Sequence, residues 1–561
     1  MKNKEIFDPY QEGFTEKKNT IRYLNRLILD IKHDIYNGKT VICLFLDFEK
    51  AFDSVWKRGL IVKLFKLGIK GKLLRLIDQF LKNRKVWLNV NGKKGQVRNC
   101  SEYGLPQGSV LSPILFKIFM MDFLEELDQN NAVLYKFADD GSVKITADTT
   151  TECLSKLQDV LIALDQWAKK WRMVINCQPN KTEVICFGTA ENNKNLIPTE
   201  FDLGNQKIKL VKHTKVLGII VDEDLKFIEH SKEVYKKLIT RWNIIQLYCN
   251  RNWGFTQRVM VELTRTLFLS CLMYGSHLWM NNSNMKEIHS LYYKLLKTTV
   301  GPVFNIRHSI AEIIVGLPPI TIQNRVNQIK HYLKIIFNDI PDDPLKKSIH
   351  KITSHNPPPD LVIALRAVYK FLNWKLQIKP GHFSVTDVEI ISQNDFSSFH
   401  LLSPSCGEYT KSQITKYTEL LWEDSIKNEF LLEGFSVTPR PSCKPLLLHP
   451  ELSRKNEVKL MSMFYENNLL NSFLYRHNVP EVSSPLCLCG REEQTVNHIV
   501  TGCELVNPEL RQKAIDILQS KEVIEGSSVV FLNLSRDSTF MNILSEIIVS
   551  HGTIIRTEIN L

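Results

Sequence analysis

The feature that most constrains the fold is the apolar run Val41–Leu46, which ends at Asp47. An uninterrupted apolar run of this length predicts a strand that is buried on both faces. Farther along the chain, the alternating segment 133–145 predicts two strands that meet at Asp139-Asp140-Gly141, because Asp-Gly sequences favour a tight reversal. If these strands are neighbours in one sheet, the three acidic side chains converge at one end of it.

The rest of the first 222 residues mixes helices with strands. Helical spacing of apolar residues predicts helices near 60–65, 72–82, 110–127 and 151–173, and Asn91-Gly92 predicts the turn of a hairpin over 86–97. Together these elements predict an α+β domain built on an antiparallel sheet. From about residue 223 the pattern becomes almost wholly helical, with helices predicted over 232–247, 256–274 and 285–299, so a second, helical domain is expected to follow.

Length and charge limit the class of protein. A chain of 561 residues exceeds what a single core usually supports, so several domains are expected. Its 72 Lys and Arg against 60 Asp and Glu give a net charge of +12, which favours partners rich in phosphate. The same balance also fits an ordinary, slightly basic protein, so charge alone does not decide between these interpretations.

Cysteine usage and the opening residues indicate the compartment. Most of the twelve cysteines lie singly in apolar segments, which is typical of reduced thiols in a reducing compartment. Met1–Glu5 is not the start of a secretion signal, and no uncharged stretch approaches the roughly 18 residues that span a bilayer. We therefore expect a protein that is neither secreted nor embedded in a membrane.

Converged carboxylates repel one another, and a divalent cation relieves that repulsion. Oxygen ligands suit magnesium, and two such ions support an in-line displacement at phosphorus by activating a 3′-hydroxyl and steadying a pyrophosphate leaving group. The alternative is that Asp-Asp-Gly is an ordinary solvated turn and that Asp47 caps a helix. The acidic residues by themselves leave this alternative open.

Three segments carry a resemblance to a known family. Leu46–Asp53 reads Leu-Asp-Phe-Glu-Lys-Ala-Phe-Asp, the segment 104–113 contains Gly-Leu-Pro-Gln-Gly-Ser and Ser-Pro, and Phe137–Asp140 reads Phe-Ala-Asp-Asp. In order and spacing they resemble three palm motifs of the reverse transcriptases of non-LTR (LINE-type) retrotransposons, close to the jockey-like elements. Flanking residues are similar to the same family: Gln11, Gly13, Phe14 and Thr20 before the palm, Asn180-Lys181-Thr182 after it, and Val216-Leu217-Gly218 at the primer grip.

The resemblance implies a right-hand polymerase architecture. Residues 1–222 correspond to partial fingers and an α+β palm, 223–345 to a helical thumb, and 346–480 to a mostly helical connector in which we find no ribonuclease H pattern. A small Cys/His zinc knuckle is expected over 481–515, followed by a tail over 516–561. Members of the family carry further finger residues and an endonuclease ahead of the palm, so we expect an amino-terminally truncated form whose endonuclease half is supplied upstream or in trans.

The resemblance also assigns roles to residues of the palm. Asp47 and Asp139 correspond to magnesium ligands, with Asp140 as the supporting acid at the same metal site. Phe52 corresponds to the ring beneath the incoming sugar, which disfavours a ribose 2′-hydroxyl; its alternative role is core packing. Three more residues complete the predicted site: Gln107 and Gly108 as nucleotide and template contacts, with a helix-entry turn as the alternative, and Lys181 as an aid to pyrophosphate departure or a solvated turn lysine.

In the thumb, basic side chains are candidates for phosphate contacts along a duplex. They are Lys236, Lys237, Arg251, Arg258 and Arg265. A solvated basic face is the alternative. Trp279, also in this region, is expected to pack in the core rather than to stack on bases.

Near the carboxyl terminus, Cys487, Cys489, His498 and Cys503 form the pattern Cys-x-Cys-x8-His-x4-Cys. Three thiolates and an imidazole suit tetrahedral Zn²⁺, and the family has a similar terminal module. The single residue between Cys487 and Cys489 strains a shared tetrahedron, so one of these cysteines is a candidate bystander. The alternative is three buried thiols and a solvated histidine.

These observations predict an RNA-directed DNA polymerase of a non-LTR retrotransposon. Its implied cofactors are two Mg²⁺ ions, which Mn²⁺ can replace, and a structural Zn²⁺. Its implied partners are an RNA template, a DNA primer or nicked target DNA, and deoxynucleoside triphosphates, and the target DNA implies work in the nucleus after cytoplasmic synthesis. The alternative is an inactive remnant that binds nucleic acid through the thumb and the knuckle. A telomerase-like or group II intron-type enzyme fits the motifs less well.

Overall fold

The computed structural model describes most of the chain. The described residues are 10–82, 84–99, 102–123, 132–188, 197–249, 253–281, 284–301, 306–337, 340, 343–354, 357–378, 391, 402, 404–432, 441–443, 452–464, 470–479, 482–521, 534 and 537–550. They divide between two compact units, one formed by residues 1–230 and 332–407 and the other by residues 231–331 and 408–561. Within the described residues, no helix combines the length and apolar character needed to cross a membrane.

A six-stranded sheet organises the first unit. Its strands are β1 (Thr40–Leu46), β6 (Ala132–Phe137), β7 (Asp140–Ala147), β8 (Glu183–Phe187), β9 (Glu200–Leu203) and β10 (Gln206–Leu210), in the order β6-β7-β1-β8-β10-β9. All seven residues of β1 are buried, as its apolar run predicts, because this strand lies inside the sheet. The predicted antiparallel sheet is wrong at one junction: β8 and β10 are parallel, because β10 reaches β8 only after the chain has reversed through the β9–β10 hairpin.

Smaller strands form three hairpin-like pairs. They are β2 (Lys85–Val86) with β5 (Arg98–Asn99), β3 (Asn89–Val90) with β4 (Lys93–Lys94), and β11 (His213–Val216) with β12 (Ile219–Asp222). Val90 pairs with Lys93, so Asn91-Gly92 forms the turn predicted for it.

Helices cover the sheet and fill the rest of the first unit. They are α1 (Thr20–Tyr36), α2 (Ala51–Ser54), α3 (Lys57–Lys66), α4 (Gly71–Leu81), α5 (Ser112–Phe119) and α6 (Thr150–Trp171), with Pro344–Thr353, Pro359–Ile378 and Pro404–Gly407. In α6 the Thr149 side chain caps the first turn, and Leu157, Val160, Leu161 and Leu164 form a buried apolar stripe at helical spacing. The core of this unit lies between that stripe and the sheet.

Helix α5 is shorter than the predicted helix over 110–127. It ends at Phe119, whose carbonyl accepts a hydrogen bond from the buried Lys63 ammonium. Lys63 also pairs with Asp122, 2.5 Å away. These contacts hold the chain in a turn after Phe119, and residues 124–127 lie outside the described part of the chain.

The second unit is helical, as predicted for the region after residue 223. Its helices are Gln257–Leu263, Ser270–Leu272, Ser276–Trp279, Lys286–Val300, His308–Val315, Lys411–Leu432, Arg454–Ser462, Asn471–Arg476, Pro508–Ser520 and Ser538–Ser550, with π-helical turns at Thr264–Leu269 and His498–Gly502. Ile228–Gln246 and Ile320–Ile336 lie at the boundaries between the units. The predicted boundaries of the thumb, connector and terminal module stay predictions, although residues 332–407 group with the first unit.

Candidate active site

The sheet brings the predicted acids to one place. Leu46, the last residue of β1, lies opposite Gly141 of β7, so Asp47 leaves the sheet beside the turn that carries Asp139. Asp140 is the first residue of β7 and pairs with Phe137 at the end of β6. The convergence expected from sequence is therefore present in the register of three adjacent strands.

The acids influence one another electrostatically. Burial, together with the nearby charges of Asp139 and Asp47, raises the pKa of Asp140 to about 6. Burial also raises the pKa of Asp139, and the charge of Asp47 adds to that effect. Among the described side chains, Lys181 supplies a compensating cation, with its Nζ 3.5 Å from Asp47 Oδ2. The three carboxylates carry more negative charge than Lys181 compensates, and their hard oxygens are the ligand type that a divalent cation such as magnesium prefers.

Asp47 is held by Asn176, which the sequence did not single out, and by Thr182 of the recognised Asn180-Lys181-Thr182 segment. Asn176 Nδ2 donates a 3.0 Å hydrogen bond to Asp47 Oδ2, and the backbone N–H of Asn176 donates to the Asp47 carbonyl at 2.9 Å. The backbone N–H of Asp47 donates to the Thr182 hydroxyl at 3.2 Å. Asn176 precedes the recognised Asn180-Lys181-Thr182 segment, and no spacing rule connects it with Asp47. Only the structure therefore shows that Asn176 holds Asp47.

The turn that carries Lys181 is anchored by a buried acid. Asn180 adopts a left-handed conformation, with φ of 64°, and its N–H donates a 2.9 Å hydrogen bond to Glu183 Oε1. The other oxygen of Glu183 accepts from the Thr214 hydroxyl at 2.6 Å. Glu183 thus links the Lys181 turn to the hairpin that contains Val216-Leu217-Gly218.

Phe52 lies in a small aromatic group. Its ring stacks on Phe116 with centroids 4.4 Å apart and an interplanar angle of 11°. Phe14 contacts it edge-on at 6.0 Å. Phe52 is half-buried: one face of its ring packs on Phe116, and part of its surface stays accessible.

Gln107 and Gly108 lie in the turn that leads into α5. Gln107 Nε2 donates a 3.2 Å hydrogen bond to Asp53 Oδ1, which brings this turn beside the segment that carries Phe52. The N–H of Leu105 donates to the Phe52 carbonyl at 2.8 Å. Gly108 is exposed with φ of 83°, a left-handed conformation that favours glycine. The two motifs that carry Phe52 and Gln107 therefore form one connected surface.

The predicted thumb cations differ in their surroundings. Lys236 and Arg258 are exposed. Arg265 bonds to Glu262 at 2.9 Å and to the Cys443 carbonyl at 3.1 Å, and Lys237 pairs with Glu233 at 2.5 Å. Arg251 lies outside the described residues. Trp279 is buried in the core, as expected.

The cysteines and histidine near the carboxyl terminus form a cluster. One ligand atom from each of Cys487, Cys489, His498 and Cys503 lies within 4.8 Å of the others. The two sulfurs of Cys487 and Cys503 are 3.6 Å apart, and Cys489 Sγ is 3.2 Å from His498 Nε2. A tetrahedron with Zn–S bonds of about 2.3 Å has sulfurs about 3.8 Å apart, so the residues present fit zinc.

Local backbone structure assembles this cluster. The N–H of Gly490 donates to the Cys487 carbonyl at 2.8 Å, which closes a tight turn and brings both cysteines of the Cys-x-Cys pair to the same side. The N–H of Cys503 donates to the His498 carbonyl at 2.7 Å, a π-helical turn that matches the four-residue gap. Glu492 Oε2 lies 3.1 Å from His498 Nδ1 and orients Nε2 towards the sulfurs.

The thiols have contrasting acidities. Burial raises the pKa of Cys487 to about 12. A backbone hydrogen bond from Arg491, assisted by His498, lowers the pKa of Cys489 to about 7. Of these two thiols, Cys489 therefore supplies a thiolate to a metal more readily.

Comparisons with known proteins identify the first part of the chain. The sequence profile of the family described as reverse transcriptase (RNA-dependent DNA polymerase) matches residues 1–221. The RNA-directed DNA polymerase from the mobile element jockey of Drosophila melanogaster is 27% identical over 306 residues, which are 53% of this chain and 32% of that protein. The probable RNA-directed DNA polymerase from transposon BS of the same species is 26% identical over 318 residues, 55% of this chain and 34% of that protein.

These matches confirm the resemblance to non-LTR retrotransposon reverse transcriptases. The Pol polyprotein of the type-1 retrotransposable element R1 of Bradysia coprophila is also similar, with 28% identity over 48% of this chain and 26% of that protein. The chain spans about a third of the length of the jockey and BS relatives. Among solved structures, apo telomerase from Candida tropicalis matches with 11% identity and a TM-score of 0.27, covering 69% of this chain and 57% of that one.

Proposed function

Because residues 1–221 carry a reverse transcriptase domain, we propose that this chain is an RNA-directed DNA polymerase of a non-LTR retrotransposon. It extends the 3′-hydroxyl of a DNA primer or of nicked target DNA with deoxynucleotides, using an RNA template. The observation that carries the proposal is the pairing register that brings Asp47 beside the Asp139-Asp140 turn. The nucleus is the expected place of action, because the target is chromosomal DNA.

In this proposal, Asp47 and Asp139 hold two divalent cations and Asp140 adds negative charge to their site. When bound, magnesium lowers the pKa of the primer 3′-hydroxyl and neutralises charge on the triphosphate. Mn²⁺, which has similar ligand preferences, is a candidate substitute. Asn176 fixes the carboxylate orientation of Asp47 through its 3.0 Å hydrogen bond.

Nearby side chains orient the nucleotide and complete the reaction. The primer 3′-hydroxyl loses its proton to solvent water, and its oxygen forms a bond to the α-phosphorus as the bond to pyrophosphate breaks. Lys181 donates a proton to the departing pyrophosphate and regains one from solvent. Phe52, braced by Phe116, fills the space that a ribose 2′-hydroxyl requires. Gln107 and the backbone at Gly108 contact nucleotide and template.

The Cys/His cluster has a separate role in this proposal. We infer that Cys487, Cys489, His498 and Cys503 hold a structural Zn²⁺, supported by their mutual separations. The metal contributes folding energy to a small module, which is expected to bind nucleic acid rather than to catalyse.

Primer extension tests the polymerase proposal. The purified chain is given an RNA template, an annealed DNA primer, Mg²⁺ and deoxynucleotides, and the product is sequenced against the template. The proposal predicts templated DNA from the wild type and none from Asp139→Asn. RNA binding without any product in the wild type would contradict it and would favour the inactive, nucleic-acid-binding remnant.

A further inference from the structure

The β2–β5 hairpin is an exposed, basic and apolar surface. Every residue from 85 to 99 is exposed. The segment 84–99 contains five Lys and Arg residues and no Asp or Glu. It also exposes large apolar side chains, with Trp87 51%, Leu88 77% and Val90 64% accessible. Apolar side chains presented together on a surface are typical of a binding site.

The arrangement of these side chains suits a nucleic acid strand. The Lys94 ammonium lies 4.2 Å from the centroid of the Trp87 ring, so a flat apolar face and a cation occur side by side. Aromatic faces stack on unpaired bases, and neighbouring cations contact the phosphates between them. A paired duplex hides its base faces, whereas a single strand exposes them.

A cleft of about 1100 Å³ at the base of the hairpin continues the positive surface. Its lining includes Lys57, Arg58, Arg75, Lys82, Arg84 and Lys85, against the two acids Asp78 and Glu102. Lys82 pairs with Asp78 at 2.6 Å and Arg58 with Glu102 at 3.0 Å, so the lining keeps a net excess of cations. This charge complements a phosphate backbone.

We propose that the hairpin 84–99 and the cleft at its base bind a single-stranded segment of RNA. That the strand is RNA rests on the proposed function. The binding itself does not require DNA synthesis, so it is measured in the Asp139→Asn background as well as in the wild type. Trp87 stacks on a base, while Lys93 and Lys94 contact phosphates.

Fluorescence anisotropy with a labelled single-stranded RNA, repeated over a range of salt concentrations, separates these two contributions. We expect Trp87→Ala to weaken binding about 5- to 150-fold without changing the salt slope. We expect Lys93→Ala/Lys94→Ala to weaken binding and to reduce the slope of log affinity against log salt by about 1.4, because each phosphate contact to a single strand contributes about 0.7.

Matched controls test whether removing any exposed aromatic residue, or any two exposed lysines, weakens RNA binding to the same extent. Phe65 is exposed with the Lys70 ammonium 5.2 Å from its ring centroid, and Lys207 and Lys209 are exposed on a different hairpin. Phe65→Ala and Lys207→Ala/Lys209→Ala are expected to bind as the wild type does. Unchanged RNA binding in the hairpin variants, an effect confined to duplex RNA, or a change only in self-association would overturn the proposal. Because the hairpin is exposed, these substitutions leave the melting temperature unchanged.

A second inference comes from a different observation, the backbone before Asp139. Ala138 has φ of 56°, a left-handed conformation that is unfavourable for a non-glycine residue. Surrounding contacts must hold it there. Gln11 supplies them: its Oε1 accepts hydrogen bonds from the N–H of Ala138 at 2.8 Å and of Gly13 at 2.9 Å, and its Nε2 donates to the Ala138 carbonyl at 3.3 Å.

The segment around Gln11 fits closely against β6. The N–H of Glu12 donates to the Lys136 carbonyl at 2.8 Å. A Cβ at Gly13 would lie 2.2 Å from the Ala138 nitrogen, so only glycine permits this approach. We infer that Gln11 is a positioning residue that fixes the turn carrying Asp139 and Asp140, and so the orientation of both carboxylates.

Hydrogen exchange and kinetics together test this role. Gln11→Ala is expected to speed exchange of the Ala138 amide and to lower kcat about 10- to 100-fold, with KM for primer-template unchanged. Gln11→Glu keeps the acceptor oxygen and is expected to restore part of both properties. The exposed Gln206→Ala serves as control.

The exchange measurement also stands without polymerase activity, so failure of the proposed function is separable from failure of this inference. Unchanged exchange at Ala138 or unchanged kcat would overturn the inference. A parallel loss of melting temperature and primer-template affinity would also overturn it, because it would indicate a general structural role.

Discussion

The acid cluster and the Cys/His cluster both suit metal ions, but they are built in opposite ways. Asp47 and Asp139 come from segments 92 positions apart, brought together by the pairing of β1 with β7. The Cys/His cluster lies within residues 487–503 and is assembled by its own turns. The first cluster exists only after a sheet has formed, whereas the second organises a short segment around its ligands.

This contrast teaches what each metal contributes. At the acid cluster, the sheet and α6 provide the folding energy, and a cation would be available for chemistry. At the Cys/His cluster, the four ligand residues lie within one short segment, so a metal bound there would cross-link that segment and stabilise its fold. Removing a ligand is therefore expected to affect activity in one cluster and local structure in the other.

The largest expected effect is that of Asp139→Asn. Removing a carboxylate from the proposed magnesium site lowers kcat by about a thousandfold or more, because metal stabilisation of the transition state contributes several kcal/mol. The melting temperature stays the same or rises, since burial and neighbouring charge already disfavour ionised Asp139. Steady-state primer extension measures kcat, and Asp202→Asn, an exposed acid on the same sheet, is the control.

The counterpart in the other cluster is Cys503→Ser. We expect zinc affinity to fall more than about 100-fold and limited proteolysis to cleave within 482–521, because three remaining ligands hold the metal weakly. Zinc content by mass spectrometry and proteolysis check this. Cys271→Ser, a cysteine outside the cluster, should keep zinc and protease resistance. Full zinc content in Cys503→Ser would show that this thiol is a bystander.

A smaller effect is expected at the proposed sugar contact. Phe52→Val opens space beside Phe116 and is expected to raise the efficiency of ribonucleotide relative to deoxynucleotide incorporation about 10- to 100-fold. Single-nucleotide extension with both substrates gives the ratio of kcat/KM. If the ratio does not change, Phe52 packs in the core and does not select the sugar.

The smallest expected effect concerns the hydrogen bond to Asp47. Asn176→Ala removes one bond of 3.0 Å and is expected to lower kcat about 2- to 10-fold and to raise the Mg²⁺ concentration needed for half-maximal activity. A titration with Mg²⁺ at saturating nucleotide tests it. An unchanged Mg²⁺ requirement would mean that the lysine and backbone contacts suffice to orient Asp47.

Local patterns in the sequence predicted much of the fold. The apolar run predicted β1, the alternating pattern predicted β6 and β7, and helical spacing predicted α6, because each pattern depends on which faces of a single element are buried. The parallel pairing of β8 with β10 was not predicted, since the neighbours of a strand in a sheet depend on distant parts of the chain. The end of α5 was also missed, because it depends on Lys63, which lies on another helix.

The candidate sites divide in the same way. The Cys/His ligands were visible because their spacing is local, and the three acids were visible because of recognised motifs. The hydrogen bonds that join Asn176 to Asp47 and Gln11 to Ala138 were not predicted, because a hydrogen bond between distant segments leaves no periodic signal in the sequence. Sequence therefore indicated the groups suited to chemistry more readily than the groups that orient them.

The central claim is that the two clusters hold different metals for different purposes. The most direct test measures zinc content and RNA-templated DNA synthesis on the same preparations of the wild type, Asp139→Asn and Cys503→Ser. We predict about one zinc per chain in the wild type and in Asp139→Asn, little in Cys503→Ser, and Mg²⁺-dependent DNA from the wild type and Cys503→Ser but not from Asp139→Asn. DNA synthesis by Asp139→Asn, or loss of zinc in that variant, would contradict the account.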